Sequence, residues 1–170
     1  VNKLIQNKKH DMKHLLILAF LLCSLFLSAQ TPKYNFKAAF KSAIVPASLS
    51  FVGGVAGGTR EAILWRKDRF FKVFPKADRQ YWDNNLSWQN KYTRPWYIPV
   101  QFTDGYHMLY LVHNLGLSGA CIAGTVSTAK GWYKKPLKHK ILDVLIQSAC
   151  ISAAYYVGSE GTYSLLFKRK

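Results

Sequence analysis

The sequence predicts an all-α membrane protein, built from a signal segment, a glycine-rich helix with an interfacial amphipathic helix, an aromatic loop and a C-terminal transmembrane helical hairpin. Three observations carry that expectation. Apolar residues are bunched into blocks separated by strongly basic stretches, a pattern typical of membrane proteins. Two late blocks, Tyr106 to Ala129 and Ile141 to Gly158, have the length of a bilayer crossing. Glycine recurs at helix-packing spacing in the middle of the chain.

Composition narrows the function classes. Lys and Arg total 24 against 8 Asp and Glu, so the formal charge is +16 and the mean hydropathy stays near zero although 49% of residues are hydrophobic. The charges flank apolar blocks instead of forming one stripe. That argues against nucleic acid as a partner and for membrane lipids, anionic ones in particular. A second membrane protein or a further copy of the chain is the other partner to expect. No CxxC pair or Cys/His cluster occurs, so neither a metal site nor a cofactor is expected.

The chain divides into three parts: 1–29, 30–105 and 106–170. In the first, Val1 to Asp11 precede a start expected at Met12, and Lys13-His14 form a charged n-region. Leu15 to Leu27 form an apolar core, and Ser28-Ala29 offer a cleavage point before Gln30. The rival is an uncleaved anchor, because Leu27 is large for the position three before the cut. Cys23 follows a bulky Leu22, which excludes a lipoprotein signal. Cys121 and Cys150 sit inside apolar runs, where thiols act as small packing residues.

The second part opens on Ser42 to Gly58, apolar and glycine-rich, with Gly53/Gly57 and Gly54/Gly58 as two overlaid GxxxG spacings. At about 17 residues with Pro46 inside, it is short for a span. It fits a third transmembrane helix, a re-entrant segment or a helix packed on the hairpin. Gly53 to Gly58 resembles a phosphate loop only superficially, since Thr59-Arg60 stand where Lys-Ser/Thr is needed. Thr59 to Phe74 reads as an amphipathic interfacial helix, with Thr59 as N-cap, Pro75 as terminator, and Leu64, Phe71 and Phe74 on one face.

The aromatic segment follows: Phe74-Pro75-Lys76-Ala77, Tyr81-Trp82, Ser87-Trp88-Gln89-Asn90-Lys91-Tyr92 and Pro95-Trp96-Tyr97. With no clean period, it reads as an ordered loop with short turns. Trp82, Trp88, Tyr92 and Trp96 are expected to form an interfacial belt, with stacking on a sugar or glycan as the alternative. From about Gly53 to His113 the text resembles uncharacterised small envelope proteins of Bacteroidota that carry F-P-x-A…W…S-W-x-N-K-Y before a T-D-x-x-H hairpin helix. Here Thr103-Asp104-Gly105-Tyr106-His107 has Gly-Tyr inside that motif. The resemblance implies export and membrane association and brings no known activity.

In the hairpin, Gly116, Ala120, Gly124 and Thr128 form a small-residue ridge expected to pack on the return helix. The turn, Lys130 to Lys140, holds five lysines and no acid, which favours the cytoplasmic side. That puts the aromatic segment on the periplasmic side of an inner membrane, provided Ser42 to Gly58 does not cross. Antiparallel register brings Asp143 level with Ser127 and Thr128, with Lys140 to neutralise it, His107 level with Tyr163, and His113 level with Tyr156 to Glu160. Asp104, His107, His113 and Glu160 thus form a candidate outer polar cluster able to do acid–base chemistry. No HExxH, GxSxG or paired-carboxylate signature supports a named reaction. The expected function is a non-catalytic accessory or structural envelope protein; the alternative is a small membrane enzyme acting on a lipid-linked or glycan substrate through that cluster.

Overall fold

A computed structural model describes residues 34–167, and among these every regular element is helical. Helix α1 runs Phe36–Trp65, α2 Lys67–Val73, α3 Arg79–Trp82, α4 Asn84–Ser87, α5 Asn90–Thr93, α6 Gly105–Ala129 and α7 Leu137–Glu160. A 3-10 turn at Val100–Phe102 leads into α6, another at Trp132–Lys134 follows it, and a π-helical stretch, Gly161–Leu166, extends α7. Three helices are long and apolar enough to cross a membrane: α1, α6, and α7 with its continuation to Ser164. The signal segment, its cleavage point and Cys23 lie outside the described residues.

The glycine-rich segment is longer than its apolar text suggested. At 30 residues α1 is about 45 Å long, more than the roughly 30 Å of a bilayer's hydrocarbon core. It runs straight through Thr59, which corrects the expected helix start there. Thr59 Oγ1 donates to the Val55 carbonyl four residues back, at 2.8 Å. That is the habit of a threonine inside a helix, not of an N-cap. The break comes at Arg66, whose backbone leaves the helical region (φ −137°, ψ 35°). Because the helix restarts after Arg66, the face drawn through Leu64, Phe71 and Phe74 does not persist. In α2 the buried pair is Phe70 and Phe71, and Phe74 is exposed.

Pro46 sits inside α1 and is fully buried. It has no N–H to give to the carbonyl of Ser42. At the same turn the Ser42 hydroxyl donates to Ala39 O (2.7 Å) and accepts from Gln147 Nε2 of α7 (2.9 Å). Neighbouring helices commonly supply polar contacts of this kind where proline interrupts an apolar helix.

The packing overturns one expectation about the hairpin. Helix α1 lies between α6 and α7 and touches both along its length, whereas α6 and α7 touch each other little. The two glycine spacings of α1 serve different neighbours. Gly53 and Gly57 face α6, where a Cβ on Gly53 would stand 3.1 Å from the His113 carbonyl. Gly54 and Gly58 face α7, where any Cβ would run into the carbonyls of Tyr155 and Ser159. The partner glycines match: Gly116 of α6 backs onto Gly53 and Leu49, and Gly158 of α7 onto Phe51 and Val55. The ridge Gly116, Ala120, Gly124 is buried as expected. However, at Gly116 it serves α1, and at Gly124 it meets the return helix through Ile151, with Pro46 of α1 also beside it. A bare hairpin would leave each helix one partner; inserting α1 gives two glycine-smooth contacts, each with close backbone packing.

At the C-terminal end of α1, Ala62, Ile63, Phe70, Phe71 and Phe167 form a buried cluster with Trp82, Leu109 and Tyr163 against it. The Phe70 ring centroid lies 5.6 Å from that of Trp82 and 6.0 Å from that of Phe167. This cluster ties the end of α1, the aromatic segment and the end of α7 together.

Candidate functional site at the aromatic end

The entry to α6 is built by Asp104. Its extended backbone and buried side chain make it the N-cap, with Oδ1 accepting from the His107 N–H at 2.8 Å. Oδ2 lies 2.6 Å from Nδ1 of the same histidine. A carboxylate only accepts, so Nδ1 carries the proton and donates. That leaves Nε2 on a ring whose side chain is 44% exposed, against 4% for Asp104. Chemically this is the orienting half of an acid–base pair.

Gly105, the small residue inside the T-D-x-x-H motif, has a steric role. The Trp82 indole lies against its Cα, and any Cβ there would enter the ring. Asn90 then ties the aromatic segment to the same corner. Its Nδ2 donates to the Thr103 and Gln80 carbonyls (2.9 and 3.0 Å), and its Oδ1 accepts from Gln80 Nε2 (2.9 Å). Burial, and then the Asp104 charge, push the Tyr81 phenol above its ordinary pKa. The segment expected as loop with turns thus contains three one-turn helices. Asp78 and Asp83 cap the first two by accepting from Gln80 and Asn85 N–H (2.9 and 3.0 Å).

The expected four-residue cluster does not assemble. Asp104 and His107 form a pair, but His113 is engaged elsewhere. Its Nδ1 donates to the Gly53 carbonyl across the α1–α6 contact (3.0 Å), and its ring centroid lies 5.8 Å from that of Tyr155. The antiparallel register was close for His113, but it could not foresee α1 standing in between. Glu160 accepts from Ser164 Oγ at 3.0 Å, one turn along its own helix. Tyr163, expected level with His107, accepts instead from Arg66 Nε at 3.1 Å. Among the described residues no three His, Cys, Asp or Glu side chains come together as a metal site.

The second polar layer also differs in detail. Lys135 Nζ donates to Asp143 Oδ2, whereas Lys140, the cation expected to neutralise it, holds its ammonium 5.3 Å from the Trp132 ring centroid. Cys121 and Cys150 are both free. Among the four expected belt residues, Trp82 is packed in, while Trp88, Tyr92 and Trp96 are exposed, Trp96 by 91%. Sequence reasoning missed Ser50, which is buried and donates to the Ile151 carbonyl of α7 at 2.8 Å. Its position four residues before Gly54, on the α7-facing stripe, is the signal that was present. It likewise missed Arg60, whose guanidinium lies 5.6 and 5.3 Å from the ring centroids of Tyr106 and Tyr110 on α6.

Comparison with protein families, with curated proteins and with solved structures finds no match to this chain.

Proposed function

We propose that the chain is a small integral protein of the cell envelope membrane with a non-catalytic, accessory or structural role. The observation that supports this reading best is the dispersal of the four candidate acid–base residues. Asp104 caps a helix, His107 is held by that cap, His113 bonds a backbone carbonyl between two helices, and Glu160 bonds its own helix. Each has a structural partner, and the four do not converge on one point. What remains on offer is an exposed aromatic and basic layer that suits a lipid interface or a partner protein. The likeness to small Bacteroidota envelope proteins points the same way.

Three crossings are part of the proposal, because α1 is packed between α6 and α7 and shares their depth. With the signal removed after Ala29, three crossings put the aromatic layer in the cytoplasm and the lysine turn outside. That reverses the side reached from two crossings. The charge distribution accords with it, since Arg60 to Arg94 carry nine Lys and Arg, more than the five in the turn. Gentle solubilisation and affinity purification of the full chain are expected to recover a stable membrane-protein partner or a second copy.

The enzyme alternative rests on the Asp104–His107 pair and its half-open ring. His107→Ala and His113→Ala separate the two readings. A chain that inserts and assembles normally yet loses an envelope lipid or glycan phenotype only when His107 is replaced establishes the enzyme and ends the accessory reading.

A further inference from the structure

Between α6 and α7 lies a groove of about 500 Å³, within the size range of small-molecule sites. Its walls are Thr125, Trp132 and Tyr133 on one side and Val144, Ser148 and Ile151 on the other. Gly124 and Gln147 form its floor, and behind them stands α1, with Pro46 beside Gly124 and Ser42 accepting from Gln147 Nε2. The groove exists because α1 holds α6 and α7 apart. Its lining is mostly carbon, and the Thr125 and Thr128 hydroxyls are turned back onto the Cys121 and Gly124 carbonyls (2.8 and 2.7 Å).

A further observation says what fills it. One end of the groove reaches the lysine turn through Ala129, Trp132 and Tyr133; Lys130, Lys134 and Lys138 are exposed in that turn, and Lys140 lies over Trp132, itself part of the wall. On the floor, Gln147 is 5% exposed and donates through Nε2 to Ser42 Oγ. A second copy docked symmetrically through the same groove would press two lysine turns together, which like-charge repulsion opposes.

We infer that the α6–α7 groove binds one anionic phospholipid, its acyl chain along the groove and its phosphate among Lys130, Lys134, Lys138 and Lys140. Basic pockets between membrane helices bind anionic headgroups in this way. The inference rests on the membrane reading above and adds a defined lipid site to it.

The test uses the full chain in detergent, titrated with dioleoylphosphatidylglycerol or dioleoylphosphatidylcholine and read by native mass spectrometry. A single phosphatidylglycerol retained per chain is expected, with phosphatidylcholine bound at least about tenfold more weakly, a difference of two lysine contacts or less. Thr125→Trp and Ser148→Trp, both at exposed wall positions, fill the groove without altering the charge. Each should abolish the retained lipid while melting and eluting as the unmodified chain does. Replacing Lys130, Lys134 and Lys138 by Gln should remove the preference and bring phosphatidylglycerol level with phosphatidylcholine. The proposal falls if both folded tryptophan variants retain the lipid, if the two lipids bind alike to the unmodified chain, or if the chain is a dimer that Thr125→Trp dissociates. Resistance of the chain to alkaline carbonate extraction is measured alongside. Its loss would end the membrane reading itself, whereas lipid-binding failure with extraction resistance intact ends only the groove assignment.

Discussion

Gly58 and Gly119 differ only in what a methyl group would touch. A Cβ on Gly58 runs into the Ser159 backbone, which cannot move without separating two helices, whereas on Gly119 it meets the end of the Leu49 side chain at 3.4 Å. Gly58→Ala is therefore expected to destabilise the fold by about 1–3 kcal/mol, as overpacking does, and Gly119→Ala to be near neutral. Thermal unfolding in detergent distinguishes them, and equal effects would remove the close-packing argument. Asp104→Ala loses the N-cap and the His107 anchor together and should cost about 1 kcal/mol. Asp104→Asn, which keeps an accepting oxygen, should recover most of it. If Asn were as damaging as Ala, the carboxylate would have a role beyond capping.

Among the elements, the aromatic segment is held by a half-buried ion pair as well as by the packing of Trp82. Lys67 of α2 lies 2.9 Å from Asp83, the cap of α4. Burial alone would raise the Asp83 pKa. Burial is the largest single influence, but the Lys67 hydrogen bond, the Asn85 N–H and the Lys67 and Arg79 charges together outweigh it and hold the carboxyl below its ordinary value. A carboxyl depressed in the folded state stabilises it fully above the ordinary carboxylate pKa. The contribution is lost as pH falls through the lower, folded value. Tryptophan fluorescence of the segment should therefore show an acid-induced loosening that Lys67→Met weakens. A pH profile unchanged by that substitution would place the acid sensitivity elsewhere.

For the whole molecule, the order of the three long helices governs topology. Single cysteines at Lys91→Cys and Lys135→Cys, in a background without Cys121 and Cys150, report the two sides to an impermeant thiol reagent. Three crossings after a cleaved signal predict labelling from outside at position 135 and not at 91. The opposite pattern would restore a chain in which the aromatic layer faces outward. Labelling of both positions would mean that α6 does not cross between them.

The sequence by itself determined the helices that depend on local text. The apolar, uncharged run to Ala129 placed α6, and the small-residue ridge identified its buried face; α7 begins at Leu137, four residues before the expected Ile141 and inside the lysine-rich stretch read as turn. The overlaid glycine spacings marked α1 as a packing helix, since only close backbone approach needs that pattern. Only the tertiary structure decided which helix packs on which. Sequence separation alone favours the nearest antiparallel partner, so the hairpin was expected to close on itself. Gly53 and Gly57 fit α6 while Gly54 and Gly58 fit α7, and a helix smooth on both faces can be covered only from both sides. That insertion separated His113 from Asp104 and His107, carried α1 through Thr59, and left the groove between α6 and α7. None of these follows from spacing along the chain, because each depends on a neighbour distant in sequence.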